Sequence, residues 1–137
     1  MGRKGRKGRA TSKVEGDARA AFGRSAEDQA LALLEPRGLT LLERNYQVAR
    51  GPSRRGGEID MILRDRDGTL VFVEVRARRA GAWVSAAETV DARKRQRIRY
   101  AALCYLASLP HVPPCRFDVV TLDGTRIDWL QGAFGAD

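Results

Sequence analysis

The segment GGEIDMILRDRDGTLVFVEVRARR, residues 56–79, decides how the rest of this chain is read. Two runs rich in aliphatic and β-branched residues flank DRDGT, which predicts a β-hairpin. Strand alternation places Glu58, Asp60 and Ile62 on one face, and Ile59, Met61 and Leu63 on the other. On the second strand Leu70, Phe72, Glu74 and Arg76 share a face, opposite Val71, Val73 and Val75. A three-residue loop at 66–68, with Gly68 left-handed, sets Asp65 opposite Thr69 and therefore Asp60 opposite Glu74.

Like charges directly opposed in a sheet are destabilising, and a buried carboxylate is costly unless it is paired or bound to a metal. Three arrangements offset that cost: a raised pKa with a shared proton, salt bridges to Arg76 and its neighbours, or a divalent cation held by carboxylate oxygens. Spacing alone leaves all three open. Arg76, two residues beyond Glu74, can hold a water or stabilise charge growing on a phosphate, but it cannot readily give up its proton.

Outward from the hairpin, residues 15–36 predict a helix ended by EPRG. Phe22, Ala26, Ala30 and Leu33 form one apolar row and Gly23, Glu27, Leu31 and Leu34 the next, so Glu27 borders the buried face. LTLLERNYQVAR (39–50) predicts a first strand, followed by the loop GPSRRGG. Residues 91–109 predict a second helix with Asp91 as N-cap. Lys94, Ile98, Ala102 and Tyr105 fall on one row of it, which carries the Lys94 amine toward the sheet. CRFDVVTL (115–122) is a further strand, and TRIDWLQGAF a last strand or turn. The order of elements predicts a mixed sheet with helices packed on it.

A length of 137 residues fits one domain, residues 14–137, behind a basic tail. Six of the 25 basic residues lie in the first thirteen positions, which hold no acid, and MGRKGRKGRATSK is expected to be a disordered arm. The net charge of +8 falls to +2 without it. No apolar run approaches the roughly 20 residues of a membrane span, and no secretory signal opens the chain, so a cytoplasmic protein is expected. Cys104 and Cys115 are expected to be small buried hydrophobes, and His111, the single histidine, a solvated loop residue. That inventory argues against a zinc enzyme and against a Ser/His/Asp triad. Basic residues recur on both sides of the acidic hairpin, as Arg54 and Arg55, Arg78 and Arg79, and Arg93, Arg95 and Arg97. Such clustering favours nucleic acid, DNA first, as the partner. Trp83 is a candidate for stacking on a base or for burial at a loop edge.

Together these residues resemble the YraN family of uncharacterised bacterial proteins. That family looks like a set of small relatives of the Holliday-junction-resolvase branch of the PD-(D/E)XK nucleases. The resemblance rests on GRSAEDQA, RNYQ, GEIDMI, LVFVEVRAR, KRQRI followed by YAALCYL, and RFDVVTL, in that order from about Gly23 to Leu122. It implies an α/β fold with a restriction-endonuclease-like αβββαβ core, a mixed central sheet flanked by helices. It also implies Asp60 and Glu74 as ligands of Mg²⁺ or Mn²⁺, Glu27 as a direct or water-mediated ligand, and Glu58 as a neighbouring acid. Arg76 stands where the family motif E-x-K has lysine, and Lys94 is the residue that could compensate. The expected function is nucleic-acid binding of a nuclease-like kind, with metal-dependent phosphodiester cleavage of branched or repair DNA. A non-catalytic binding module retaining the nuclease fold is the alternative, and a protein-assembly factor a third. A junction-cutting enzyme of this type would be a homodimer, so as to cut two strands symmetrically.

Overall fold

A computed structural model of the chain describes residues 25–49, 56–78, 90–124 and 126–135. The basic tail, Arg54, Arg55, Arg79 and Trp83 lie outside the described residues, and of Arg78 only the backbone is described. Helix α1 spans Ser25–Leu34 and passes into a 3-10 turn, Glu35–Arg37. Gly38, with φ of 98°, closes that turn by donating its N–H to the Glu35 carbonyl at 3.0 Å. Ala30 and Leu34 are fully buried, with Ala26 and Leu31 packed beside them. The buried face thus follows the i, i+4 row through Ala26, Ala30 and Leu34, between the two rows expected from sequence.

Five strands follow: β1 (Thr40–Val48), β2 (Gly57–Arg64), β3 (Leu70–Arg78), β4 (Cys115–Asp123) and β5 (Arg126–Phe134), with helix α2 (Ala92–Ala107) between β3 and β4. They form one sheet in the order β1-β2-β3-β4-β5, antiparallel except for the β3–β4 pair. A parallel pair needs a crossover, and α2 lies in that connection. The chain is therefore an α/β protein with a mixed five-stranded sheet and two helices, a layout compatible with a restriction-endonuclease-like core. β5 extends the expected αβββαβ order by one strand.

Two apolar layers hold the helices. Ile62, Leu70, Phe72, Phe117 and Val119 pack with Ile98, Ala101 and Ala102 of α2. Met61, Leu63, Val71, Val73, Val120 and Leu122 pack with Ala30 and Leu34 of α1. The hairpin takes the expected register, with Met61 opposite Val73 and Arg64 opposite Leu70. Asp65 donates its N–H to the Thr69 carbonyl at 2.9 Å, and Gly68 has φ of 92°.

Alternation departs from expectation at one place. Ile59 belongs to the α2 layer together with Ile62, whereas Met61 belongs to the α1 layer. Asn45 lies opposite this step, between the Arg44–Met61 and Tyr46–Ile59 pairs, with φ of 55°. A left-handed residue breaks the two-residue period of an extended strand, and asparagine tolerates that conformation better than most. Of the cysteines, Cys104 is half-buried, but Cys115 is exposed because it opens β4 at the sheet's margin; the expectation of burial fails there. His111 is exposed as expected. Among the described residues no helix is long and apolar enough to cross a membrane.

One buried acid was not singled out from sequence. Asp118 on β4 is 0% exposed and accepts from Trp129 Nε1 at 2.9 Å, Gly132 N at 3.0 Å and Arg116 Nε at 3.1 Å. The β4–β5 register shifts at this point, between the Phe117 and Val119 pairs, so the carboxylate takes the Gly132 N–H at the irregularity. Removing one partner of a buried charged network costs about 3–5 kcal/mol. Asp118→Ala is expected to lower the denaturation midpoint accordingly, and Asp118→Asn, which keeps one acceptor, to lose less.

Candidate active site

The described β2–β3 ladder runs as far as the Met61–Val73 pair, so the next opposed residues are Asp60 and Glu74. There a side chain takes over from the strand backbone. Asp60 Oδ2 accepts the Val75 N–H at 2.8 Å, which anchors its carboxylate against β3 beside Glu74. Glu74 is 3% exposed. Burial first, and then the neighbouring Asp60 charge, push its carboxyl up to about 7, while Lys94 and Arg76 pull it the other way. Glu74 Oε2 lies 3.4 Å from Arg76 Nη1 and 3.6 Å from Lys94 Nζ. A hydrogen bond with Asp60 also favours the protonated Glu74 carboxyl, and among the described residues no donor reaches the buried Glu74 Oε1.

The local sequence of α2 delivers Lys94. Asp91 caps the helix by accepting the Lys94 N–H at 2.9 Å, and Ile98, Ala101 and Ala102 seat the helix on the sheet. Gly57 permits the close approach: a Cβ there would stand 2.7 Å from the Arg97 carbonyl oxygen and 2.9 Å from Ala101 N. Lys94, with its side chain 18% exposed, reaches Glu58 Oε2 at 2.7 Å as well as Glu74. Arg97 Nη2 joins Glu58 Oε1 at 3.3 Å. The hydrogen bond from Lys94 is the main cause that holds the Glu58 carboxyl below its usual range.

The structure thus brings Asp60, Glu74, Glu58, Lys94 and Arg76 together at one end of the β2–β3 pair. It engages Glu27 elsewhere: Glu27 Oε1 lies 3.3 Å from Arg44 Nε, and Asp28 Oδ1 lies 2.6 Å from Arg44 Nη2. The basic residues of α2 divide by helical face. Arg97 is paired with Glu58, and Arg93 is exposed. Arg95 turns toward β5, donating to the Val90 carbonyl at 2.9 Å and lying over the Phe134 ring at 5.3 Å. Arg99 flanks the same ring at 5.5 Å. Thr121 went unnoticed in the sequence. It is fully buried, pairs with Arg76 across the parallel β3–β4 ladder, and its Oγ1 has no partner among the described residues. The signal available was a hydroxyl at an inward-alternating position of RFDVVTL.

Among the described residues no group of three or more His, Cys, Asp and Glu gathers as a metal cage. The Asp60–Glu74 pair still fits one class of ion. Mg²⁺ is commonly held by one or two carboxylates with waters and substrate phosphate completing its shell, and Glu74 Oε1 is a buried ligand atom that no donor among the described residues reaches.

The raised Glu74 pKa carries a sign. The native carboxyl holds its proton to about 7 and the unfolded one to 4.5, so the native state binds more protons between those values. Its contribution to stability is complete below pH 4.5 and is lost as pH rises through 7. Without divalent ions, Glu74→Gln is expected to gain on the parent by on the order of 2–3 kcal/mol between pH 4 and pH 8. Chemical denaturation at the two pH values measures that difference.

The profile of a family described as uncharacterised protein family UPF0102 matches residues 26–122. A UPF0102 protein of Methylibium petroleiphilum is 58% identical over 116 residues, covering 85% of this chain and 95% of its own. A UPF0102 protein of Acidovorax is 54% identical over 128 residues, covering 90% of this chain and 95% of its own. One from Cupriavidus taiwanensis is 50% identical over 119 residues, covering 87% and 86%. A profile match that takes in both helices and four of the strands, with relatives at least half identical over most of both chains, establishes that this chain belongs to the UPF0102 family, the YraN family that its motifs resemble.

Proposed function

We propose that this protein is a nucleic-acid-binding, nuclease-like protein that cleaves phosphodiester bonds of DNA with a divalent cation held at Asp60 and Glu74. The observation that carries this reading is the buried carboxylate pair: Glu74 is 3% exposed beside Asp60, and no donor among the described residues reaches one of its oxygens. A structural hairpin gains nothing from that expense. Mg²⁺ or Mn²⁺ at the pair would supply the charge that polarises a scissile phosphate and acidifies the attacking water.

The chain's own residues have separable tasks. Asp60 is held in place by the Val75 N–H, so it is oriented before any ligand arrives. Lys94 and Arg76 flank Glu74 and offer positive charge where a pentacovalent phosphate accumulates negative charge. Glu58 keeps the Lys94 ammonium close to the pair. Lys94 thereby covers the position that Arg76, replacing the motif's lysine, fills incompletely.

A second reading has its own support. Lys94 and Arg76 already neutralise Glu74, an arrangement that would also suit a protein that holds DNA without cutting it. One experiment separates the two. Purified protein is incubated with single-stranded, duplex and branched DNA in Mg²⁺ or Mn²⁺, and the products are resolved on denaturing gels. Cleavage is expected, with Asp60→Asn and Glu74→Gln each reducing the rate by at least about 100-fold, the size of effect usual for loss of an electrostatic catalytic group. Salt-dependent binding with no cleavage of any substrate in either metal would establish the second reading instead.

A further inference from the structure

A cavity of about 730 Å³ opens beside the carboxylate pair, between the meeting ends of β1 and β2 and the first turns of α2. Pockets of roughly 300–1,000 Å³ take small organic ligands, and a nucleotide lies within that range. Arg93, Gln96, Arg97 and Tyr100 form its α2 wall, and Gln47 belongs to its β1 wall. Each part of a nucleotide has a counterpart among them. The Arg93 guanidinium suits a phosphate, with Arg97, shared with Glu58, beside it. The Gln47 carboxamide carries the mixed donor and acceptor pattern that matches a base edge. The tyrosine ring offers a face on which a base can stack.

The cavity adjoins the candidate active site at Glu58. Glu58 lines it and shares the Lys94 ammonium with Glu74. Glu58 is itself neutralised by Lys94 and Arg97, and Arg93 makes no ion pair among the described residues, so the local field favours an anion. A base held within a stacked duplex cannot enter a pocket of this kind, whereas one without a pairing partner can turn out of the strand.

We infer that this cavity receives a single unpaired nucleotide of a DNA strand whose neighbouring phosphodiester lies at Asp60 and Glu74. The inference rests on the nucleic-acid reading above and deepens it, because it selects overhangs, flaps and junction arms over continuous duplex.

The test uses the full chain in EDTA, with fluorescence anisotropy on two matched DNAs, a blunt duplex and the same duplex with a short single-stranded overhang. The overhang is expected to bind at least about tenfold more tightly, the gain usual for one well-stacked base. Gln47→Glu, which brings a negative charge to the pocket, and Arg93→Ala are each expected to bring the ratio of the two affinities close to one. A second readout needs no variant: 2-aminopurine at the unpaired position should be quenched when the unaltered protein saturates the overhang. Equal affinity for both DNAs, a preference that both variants keep, or unquenched 2-aminopurine overturns the inference. So does tight binding of free dAMP without any preference for the overhang. Cleavage of duplex without an overhang preference would sink the pocket and leave the nuclease reading standing. An overhang preference without cleavage would do the reverse, and no binding to either DNA would remove both.

Discussion

Lys94 Nζ stands 2.7 Å from Glu58 and 3.6 Å from Glu74, and the architecture at this end of the sheet depends on that bridge. Glu74 is buried beside Asp60, so two acidic groups share a poorly solvated space at the end of a hairpin. A nearly buried carboxylate without a cation is unfavourable by several kcal/mol, and its own protonation relieves only part of that cost. An ammonium from a separate element meets the rest. Bringing it there demands that α2 lie almost on the backbone of β2, which only a glycine at position 57 allows. It also demands that the helix begin where the Asp91 cap sets it.

The same placement distributes the remaining charges of α2. A helix seated along Ile98, Ala101 and Ala102 must send its other side chains to either flank. On one flank Arg93 and Arg97 line the cavity with Tyr100. On the other, Arg95 and Arg99 lie over Phe134 and tie the end of β5 to the helix. The basic run therefore serves two purposes, and only part of it faces the cavity. Across the sheet, α1 closes the second layer, and its acids are joined to Arg44. Glu58 and Glu74 of the hairpin are thus answered from α2, and the acids Glu27 and Asp28 of α1 from β1.

Much of this was legible along the chain wherever the cause is local. The turn DRDGT sets its own register through Asp65, Gly68 and Thr69, and that register brings Asp60 to Glu74. Asp91 announces the start of α2, and helical spacing puts Lys94 on the row of Ile98 and Ala102. The motifs around these residues led to the family. What escaped had causes distant in sequence. Glu27 meets Arg44 of β1, seventeen residues away, only once α1 has docked on the sheet. Ile59 changes layer at a step that lies opposite the left-handed Asn45 of another strand. Arg95 is drawn to Phe134 by the packing of β5, and Asp118 is buried by an irregularity in β5 that no period in its own strand foretells.

By itself the sequence determined the two helices and the hairpin, the opposition of Asp60 and Glu74, and the row that carries Lys94. Caps, turns and strand alternation act over a few residues, and their physics is written into neighbouring side chains. Tertiary structure alone decided the company that each charge keeps. It buried Glu74 and left one of its oxygens without a donor among the described residues, bound Glu58 to Lys94, gave Glu27 to Arg44, and opened a cavity beside Glu58. Desolvation and ion pairing depend on what surrounds a group in space, and those surroundings exist only once the helices have docked on the sheet.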